Sequence, residues 1–333
     1  IYYTNEQLNS QIDFFYRVND KDKTLFDNLS KYFASEETYK LISLRKSPLI
    51  NVGKSEYILS DNCFLIEKMY SQFLNDFWFD KIKNLKDTDG EPKFKISHYR
   101  STFGMFFEHH IGDIFNEVFH NYKHAKLLMF DDLKIKLSKV ENEISDIYFR
   151  YNKKILIGEV KSGSIYDKEK FGGDLETLYK KDRNSFFKNF GVNQLAKSLT
   201  LMHSNMKQLD HGFPEGKSCH VYPCIIVNDK ALQTPLMAHV FNIRFQELLA
   251  EIDCIKMKIR PLSIIHVSDL EKLQCFLKEK PERIWELLEY NTHDQRFIPP
   301  FYHTIKVKKA HIPCPDKAEE WYRYLITKYG NSK

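Results

Sequence analysis

A chain of 333 residues, 42% hydrophobic and 29% charged, carries ample material for one large core or two modest ones and too much for a disordered polymer. No apolar run reaches the roughly 18–20 residues of a membrane helix, no charged-then-apolar leader opens the chain, and a net charge of +5 suits a polyanionic partner without demanding one. Six cysteines without CxxC spacing (Cys63, Cys219, Cys224, Cys254, Cys275, Cys314) argue against a zinc finger and against a disulfide framework, so a cytoplasmic protein is expected.

Residues 1–95 read as a mostly helical appended region. Asn5 to Tyr16 and Lys23 to Leu44 suggest amphipathic helices, and Ser47 to Leu59 suggests two short strands around Gly53. Gly53-Lys54-Ser55 resembles the end of a phosphate-binding loop, but Pro48 stands where its first glycine is needed. Phe64 to Ile82 has apolar residues at helical spacing. Lys83 to Lys95, with Asp87, Asp89, Gly90 and Pro92, reads as a linker.

Beyond it, Phe103, Phe106, Phe107, Ile111, Ile114, Phe115 and Val118 mark one strong amphipathic helix. Glu108 falls at the edge of that stripe, one turn from Gly104 and from Gly112. An ordinary boundary carboxylate is one reading, and an acid aimed into a cleft is the other. Lys126 to Phe130 and Lys134 to Val140 supply a first strand.

The segment Ile144 to Ser162 then reads as a hairpin. Ile144 to Tyr151 is rich in β-branched and aromatic residues, Asn152-Lys153 is a plausible tight turn, and Ile155-Leu156-Ile157 begins a buried strand. Alternation puts Ile155, Ile157, Glu159 and Lys161 on one face and Leu156, Gly158 and Val160 on the other. A loop centred on Asn152-Lys153 sets Asp146 directly opposite Glu159. Two like charges so placed cost up to about 1 kcal/mol on an exposed sheet and more where desolvated. A divalent cation held by both carboxylates is the simplest offset.

After a glycine-bearing loop (Gly163, Gly172, Gly173) comes a basic cluster, Lys180, Lys181, Arg183 and Lys188. It is solvated surface on the plain reading and a set of phosphate contacts on the functional one. Val192 to Met206 is a helix, with Gln194, Lys197 and Ser198 grouped on one side. His220 to Val227 is a further buried strand whose Pro223 suggests an edge position or a bulge. Leu236 to Ile252 is helical. Leu262 to Val267 is a strand running into a capping box at Ser268-Asp269-Leu270-Glu271, which starts a helix to Leu277. Glu282 to Tyr290 and Lys317 to Tyr329 add C-terminal helices, separated by the breaker Ile298-Pro299-Pro300.

Asp146 followed by Glu159-Val160-Lys161 at the end of an apolar strand resembles the active-site signature of the PD-(D/E)xK nuclease superfamily, with Ser145 in place of the motif's proline. The resemblance covers roughly residues 96–230. It implies an α/β (α+β) restriction-endonuclease-like core, in the order helix, three antiparallel strands, helix, strand. The expected organisation is an appended region at 1–95, a core at 96–270 and a helical C-terminal extension at 271–333. It further implies metal-dependent phosphodiester hydrolysis, with one or two Mg²⁺ (or Mn²⁺) held by Asp146, Glu159 and the Val160 carbonyl. Lys161 would orient or deprotonate a water, Glu108 would support a second metal or its water, and Gln194 would position the water or Lys161. Lys180, Lys181, Arg183, Lys188 and Lys197 would meet nucleic acid, with DNA favoured. The implied role is a DNA endonuclease of a bacterial defence or restriction system, whose flanks bind a protein partner or a second copy. A repair or recombination nuclease is the alternative role.

Two other classes compete. One is an inactive module of the same fold that binds nucleic acid or a protein. The other is a chance triplet, as Glu91-Pro92-Lys93 and Asp132-Leu133-Lys134 are; its signature would be Glu159 deeply buried in an ion pair with Lys161 and no cleft.

Overall fold

The computed structural model describes residues 15–17, 23, 27, 30–31, 47–53, 56–69, 73–137, 140–164, 186–213, 219–252, 257–294, 297–312 and parts of 319–327. The chain divides into two compact units, one over Ile1–Ser101 and one over Thr102–Tyr166 and Asp174–Lys333. No helix among the described residues is long and apolar enough to cross a membrane.

The first unit is not simply helical. Strands β1 (Phe15–Arg17), β2 (Ser30–Lys31), β3 (Leu49–Gly53) and β4 (Glu56–Leu59) form a four-stranded sheet in the order β1-β4-β3-β2. The β3–β4 hairpin around Gly53 is as expected. Phe15, Tyr16 and Ser30–Lys31, expected in helices, instead lie in strands that pair with β4 and β3. Local propensity is a weak prior, and here the open edges of a hairpin override it. Helices α1 (Asn62–Met69) and α2 (Phe73–Asp80) divide the expected Phe64–Ile82 helix.

The second unit is a mixed α/β structure built on a mixed sheet. Helix α3 (Ile96–Phe119) belongs to it from Thr102 onward. Strands β5 (Ala125–Met129), β8 (Ile147–Tyr151) and β9 (Lys154–Lys161) follow as antiparallel neighbours. A separate two-stranded hairpin, β6 (Lys134–Leu137) and β7 (Val140–Glu143), leaves the sheet between β5 and β8. Helix α4 (Val192–Asn205) then leads to β10 (Cys219–Val227), parallel to β9. Helix α5 (Met237–Leu249), β11 (Met257–Ile259), β12 (Ser263–His266), α6 (Val267–Glu279), α7 (Arg283–Asn291) and α8 (Phe301–Val307) complete it.

Strand β9 is buried on both faces, and its alternation separates two apolar layers. Ile155 and Ile157 pack with Val221 and Ile225 of β10, Leu195 and Leu199 of α4, and Phe241 of α5. Leu156 and Val160 pack with Phe107, Ile111 and Phe115 of α3, Leu273 of α6, and Trp285 of α7. Each fully buried aliphatic side chain contributes about 1.5–3 kcal/mol. These layers are therefore stiff enough to hold charged groups at the strand's end. Phe106, expected within the apolar stripe of α3, is 65% exposed, and the buried residues of the helix begin only at Phe107.

Pro223 is not on an edge strand, since β10 pairs with β9 on one side and with β11 and β12 on the other. It falls in the gap between the last β11 pair, Val221–Ile259, and the first β12 pair, Cys224–Ser263, where no ladder bond is asked of its missing N–H. Helix α6 is capped by the His266 ring, which accepts from Ser268 N at 3.1 Å, so the expected Ser268 cap is instead the second residue of the helix. Cys219 and Cys224 are free and buried, whereas Cys275 is disulfide-bonded, contrary to the all-thiol expectation.

Candidate active site

The site begins with the hairpin turn. Asn152 adopts φ 53, a left-handed conformation that asparagine tolerates better than most residues, and the loop is the two residues Asn152-Lys153. The ladder then runs from Tyr151–Lys154 to Ile147–Gly158. That register carries Asp146 to the level of Glu159, as the sequence requires.

Asp146, one residue before β8, is fixed through three of its atoms. Its N–H donates to Gly158 O at 3.1 Å, and its carbonyl accepts from Phe130 N at 2.9 Å. Its Oδ2 accepts from Val160 N at 2.6 Å. Ser145, in the motif's proline position, donates its hydroxyl to Ile147 O at 3.0 Å and closes the turn before the aspartate.

The three motif side chains converge. The Lys161 ammonium donates to Glu159 Oε2 at 2.9 Å and to Asp146 Oδ2 at 3.3 Å. Glu159 Oε1 accepts from Ser198 Oγ at 3.1 Å, across from β9 on helix α4. Asp146 Oδ1 has no hydrogen-bond donor among the described residues. Glu159 is 0% exposed and Asp146 5%, while Lys161 is only partly covered.

Helix α4 reaches this close because its N-cap is Gly191 at φ 81. A Cβ there would lie 2.7 Å from Lys161 Cε and 3.3 Å from Glu159 Cβ. Gly112 is the nearest equivalent on α3, since a Cβ there would lie 3.2 Å from the Phe130 ring, whereas one on Gly104 would make only an ordinary 3.5 Å contact with Ser162 Oγ. Glu108, one turn from each, is thereby brought within electrostatic reach of Asp146 and Lys161.

Acid outweighs base in this group. Burial, then Asp146, raises the Glu159 carboxyl against the opposing pull of Lys161 and Ser198. Burial, then Asp146, likewise raises Glu108. Glu143, at the end of β7, is raised by burial, Asp146 and Glu108. Burial alone would lower the Lys161 ammonium, but Glu159 and Asp146 outweigh it and hold it above its ordinary value. One cation is shared among acids that mutually raise one another.

The other expected site residues fare differently. Gln194 is exposed, and among the described residues no hydrogen bond ties its side chain to the cluster; Ser198, one turn on, makes that contact from α4. Lys188 and Lys197 are exposed. Lys180, Lys181 and Arg183 lie outside the described residues. Ser198 was legible only as a member of a polar helix face. Gly191 carried the signal of a glycine directly before a helix, and Glu143 carried none beyond its place three residues before Asp146.

The arrangement also bears on the competing readings. Glu159 is buried and ion-paired with Lys161, which is one half of the chance-triplet signature. One cavity of about 510 Å³ is lined by His239, Asn242, Gln246 and Pro261 among others, and none of its lining residues belongs to this cluster.

Among the described residues no three His, Cys, Asp or Glu side chains stand together as a ready metal-ligand group. The oxygen donors nevertheless suit a hard divalent ion, which such sites complete with water, and the surplus of acid over base is the condition such an ion relieves. Comparison with protein-family models, curated proteins and solved structures found no match.

Proposed function

We propose that the protein is a metal-dependent phosphodiester hydrolase acting on nucleic acid, DNA first, with its catalytic centre at Asp146, Glu159 and Lys161. The observation that carries this reading is the convergence of the three side chains at the end of the central strand, with Asp146 and Glu159 sharing a single ammonium. The order α3, three antiparallel strands, α4, then a parallel β10 is the order expected of a restriction-endonuclease-like core, and it supports the same reading.

Asp146, Glu159 and the Val160 carbonyl would hold Mg²⁺ or Mn²⁺, with Glu108 able to serve a second ion. When bound, the ion would stabilise charge growing on the phosphate oxygens and acidify water. The Val160 N–H keeps Asp146 Oδ2 oriented and leaves Oδ1 available. Ser198 holds Glu159 in one rotamer from the opposite side. Lys161 keeps a proton within reach of both carboxylates and is the group placed to orient a water towards phosphorus. Exposed Gln194, Lys188 and Lys197 are accessible to a substrate strand.

Cleavage of plasmid and single-stranded substrates, with Mg²⁺ and with EDTA, tests the proposal. Asp146→Asn and Lys161→Ala should each lower the rate at least about 10²–10³-fold, the scale on which one transition-state contact acts. Cutting by either variant at the parent rate would sink the assignment.

The complete burial of Glu159 against Lys161 favours a second reading, a chance triplet in which the pair is structural. Under that reading no Mg²⁺-dependent cleavage is seen, and Asp146→Asn changes stability alone.

A further inference from the structure

The end of the sheet opposite the candidate site carries the reverse charge. In the register of β8 to β11, Tyr151 stands beside Lys154, Lys154 beside His220, and His220 beside Lys258. Register partners project to the same face, so two ammonium groups flank one imidazole across neighbouring strands. Arg260, just past β11, places Nη2 3.5 Å from His220 Nδ1. Its Nε is buried with no hydrogen-bond partner among the described residues.

One acid answers this row. Glu289 of α7 accepts from Lys154 Nζ at 3.0 Å and from the Tyr222 hydroxyl at 2.5 Å. Burial, then Arg260 and Lys258, hold His220 below the usual imidazole value, with Lys154 adding to them and Glu289 alone opposing. The ion pair with Glu289 accounts for Lys154. It does not account for Lys258, which is exposed and makes no ion pair among the described residues, or for the unanswered Arg260 Nε. Like charges aligned across a sheet repel, so this row is stable at a cost that an anion would remove.

We infer that Arg260, Lys258 and His220, backed by Lys154, form a binding site for a phosphate group, carried by a free polyphosphate or by a nucleic-acid strand. The guanidinium fork matches two phosphate oxygens, and Lys258 supplies an exposed point charge. Three permanent cations against one carboxylate suit a multiply charged phosphate better than a single carboxylate. At about 3.3 Å per residue along β9, Lys154 lies about 23 Å from Lys161. The site is therefore separate from the candidate catalytic centre and does not depend on it.

Calorimetric titration of the full chain in EDTA, at fixed ionic strength, tests this with inorganic pyrophosphate and, separately, a short single-stranded oligonucleotide. At least one probe should bind saturably, with Lys258→Glu and Arg260→Gln each weakening it about tenfold or more. The bound phosphate should also raise the His220 titration midpoint followed by NMR. Asp146→Asn should bind as the parent does, which separates this outcome from the fate of the nuclease reading. Pyrophosphate binding alone assigns a free polyphosphate, and oligonucleotide binding assigns the strand. Failure of both probes to bind, binding that Lys258→Glu leaves intact, or an unmoved His220 overturns the inference. Lys258 is exposed, so its variant reports even where Arg260→Gln fails to fold.

Discussion

Strands β8 and β9 carry two buried charge clusters that differ in how well they are satisfied. On β8, Arg150 and Tyr148 hold Asp210, which is 3% exposed. The carboxylate accepts from Arg150 Nε at 2.5 Å and Nη2 at 2.9 Å, Tyr148 OH at 2.8 Å and Gly212 N at 3.0 Å. Burial alone would raise that carboxyl, yet the arginine and tyrosine outweigh it and hold it below the usual aspartate value. At the end of β9, Glu159 has two donors, one of them shared with Asp146, and its carboxyl is raised. A buried acid whose contacts favour its charge is a fastener. One left short of positive charge marks a place where the fold has accepted instability, which is where function is sought.

Breaking the fastener should have the larger effect on stability. Asp210→Ala leaves Arg150 buried without its partner and should cost about 3–5 kcal/mol in urea unfolding. A loss under 1 kcal/mol would remove the contrast.

The pH dependence sharpens it, because the two acids act with opposite sign. Asp210 is lowered, so it contributes stability above its unfolded value, and that contribution is lost as pH falls through the folded one. Glu159 is pushed up from 4.5 to about 8. Its folded form binds the extra proton, so in EDTA stability should fall as pH rises from about 4.5 to about 8. Glu159→Gln should flatten that slope, and so should Mg²⁺ if the cluster binds it. Unfolding curves across this range check both, and a slope unchanged by Glu159→Gln would count against the strained description.

The smallest change tests the helix that closes over the cluster. Gly191→Ala combines a left-handed backbone with a Cβ 2.7 Å from Lys161 Cε, and should cost about 1–2 kcal/mol. Any cleavage activity should fall by more than that loss of fold explains, since Lys161 must move. An alanine variant equal to the parent in both respects would show that the close approach is dispensable.

The Glu159 side of this contrast was legible in the sequence because it depends on local rules, whereas the Asp210 fastener, built from residues 60 and 62 positions apart, was not. A two-residue turn fixes register, and alternation then decides which side chains meet, so Asp146, Glu159 and Lys161 could be brought together from their spacing. Helical period placed Glu108 at the edge of the apolar stripe between two glycines, and left its role open. Ser198 and Gly191 were harder to find, since a packing distance between a helix and a sheet leaves no periodic trace. Pro223 misled because its exemption comes from a break between two strands far along the chain, and the His266 cap because imidazole is an uncommon capping group. The strands at Phe15–Arg17 and Ser30–Lys31 depend on partners in β4 and β3, beyond any local window.

The tight turn at Asn152-Lys153 has a further consequence. It makes the interval from Asp146 to Glu159 a ruler with two-residue graduations. Inserting one residue at the tip would send one of the two carboxylates through the sheet to the other layer, whereas a balanced pair would only lengthen the ladder. Drift in chain length is thereby tolerated before Asp146 and after Lys161, and filtered by parity between them.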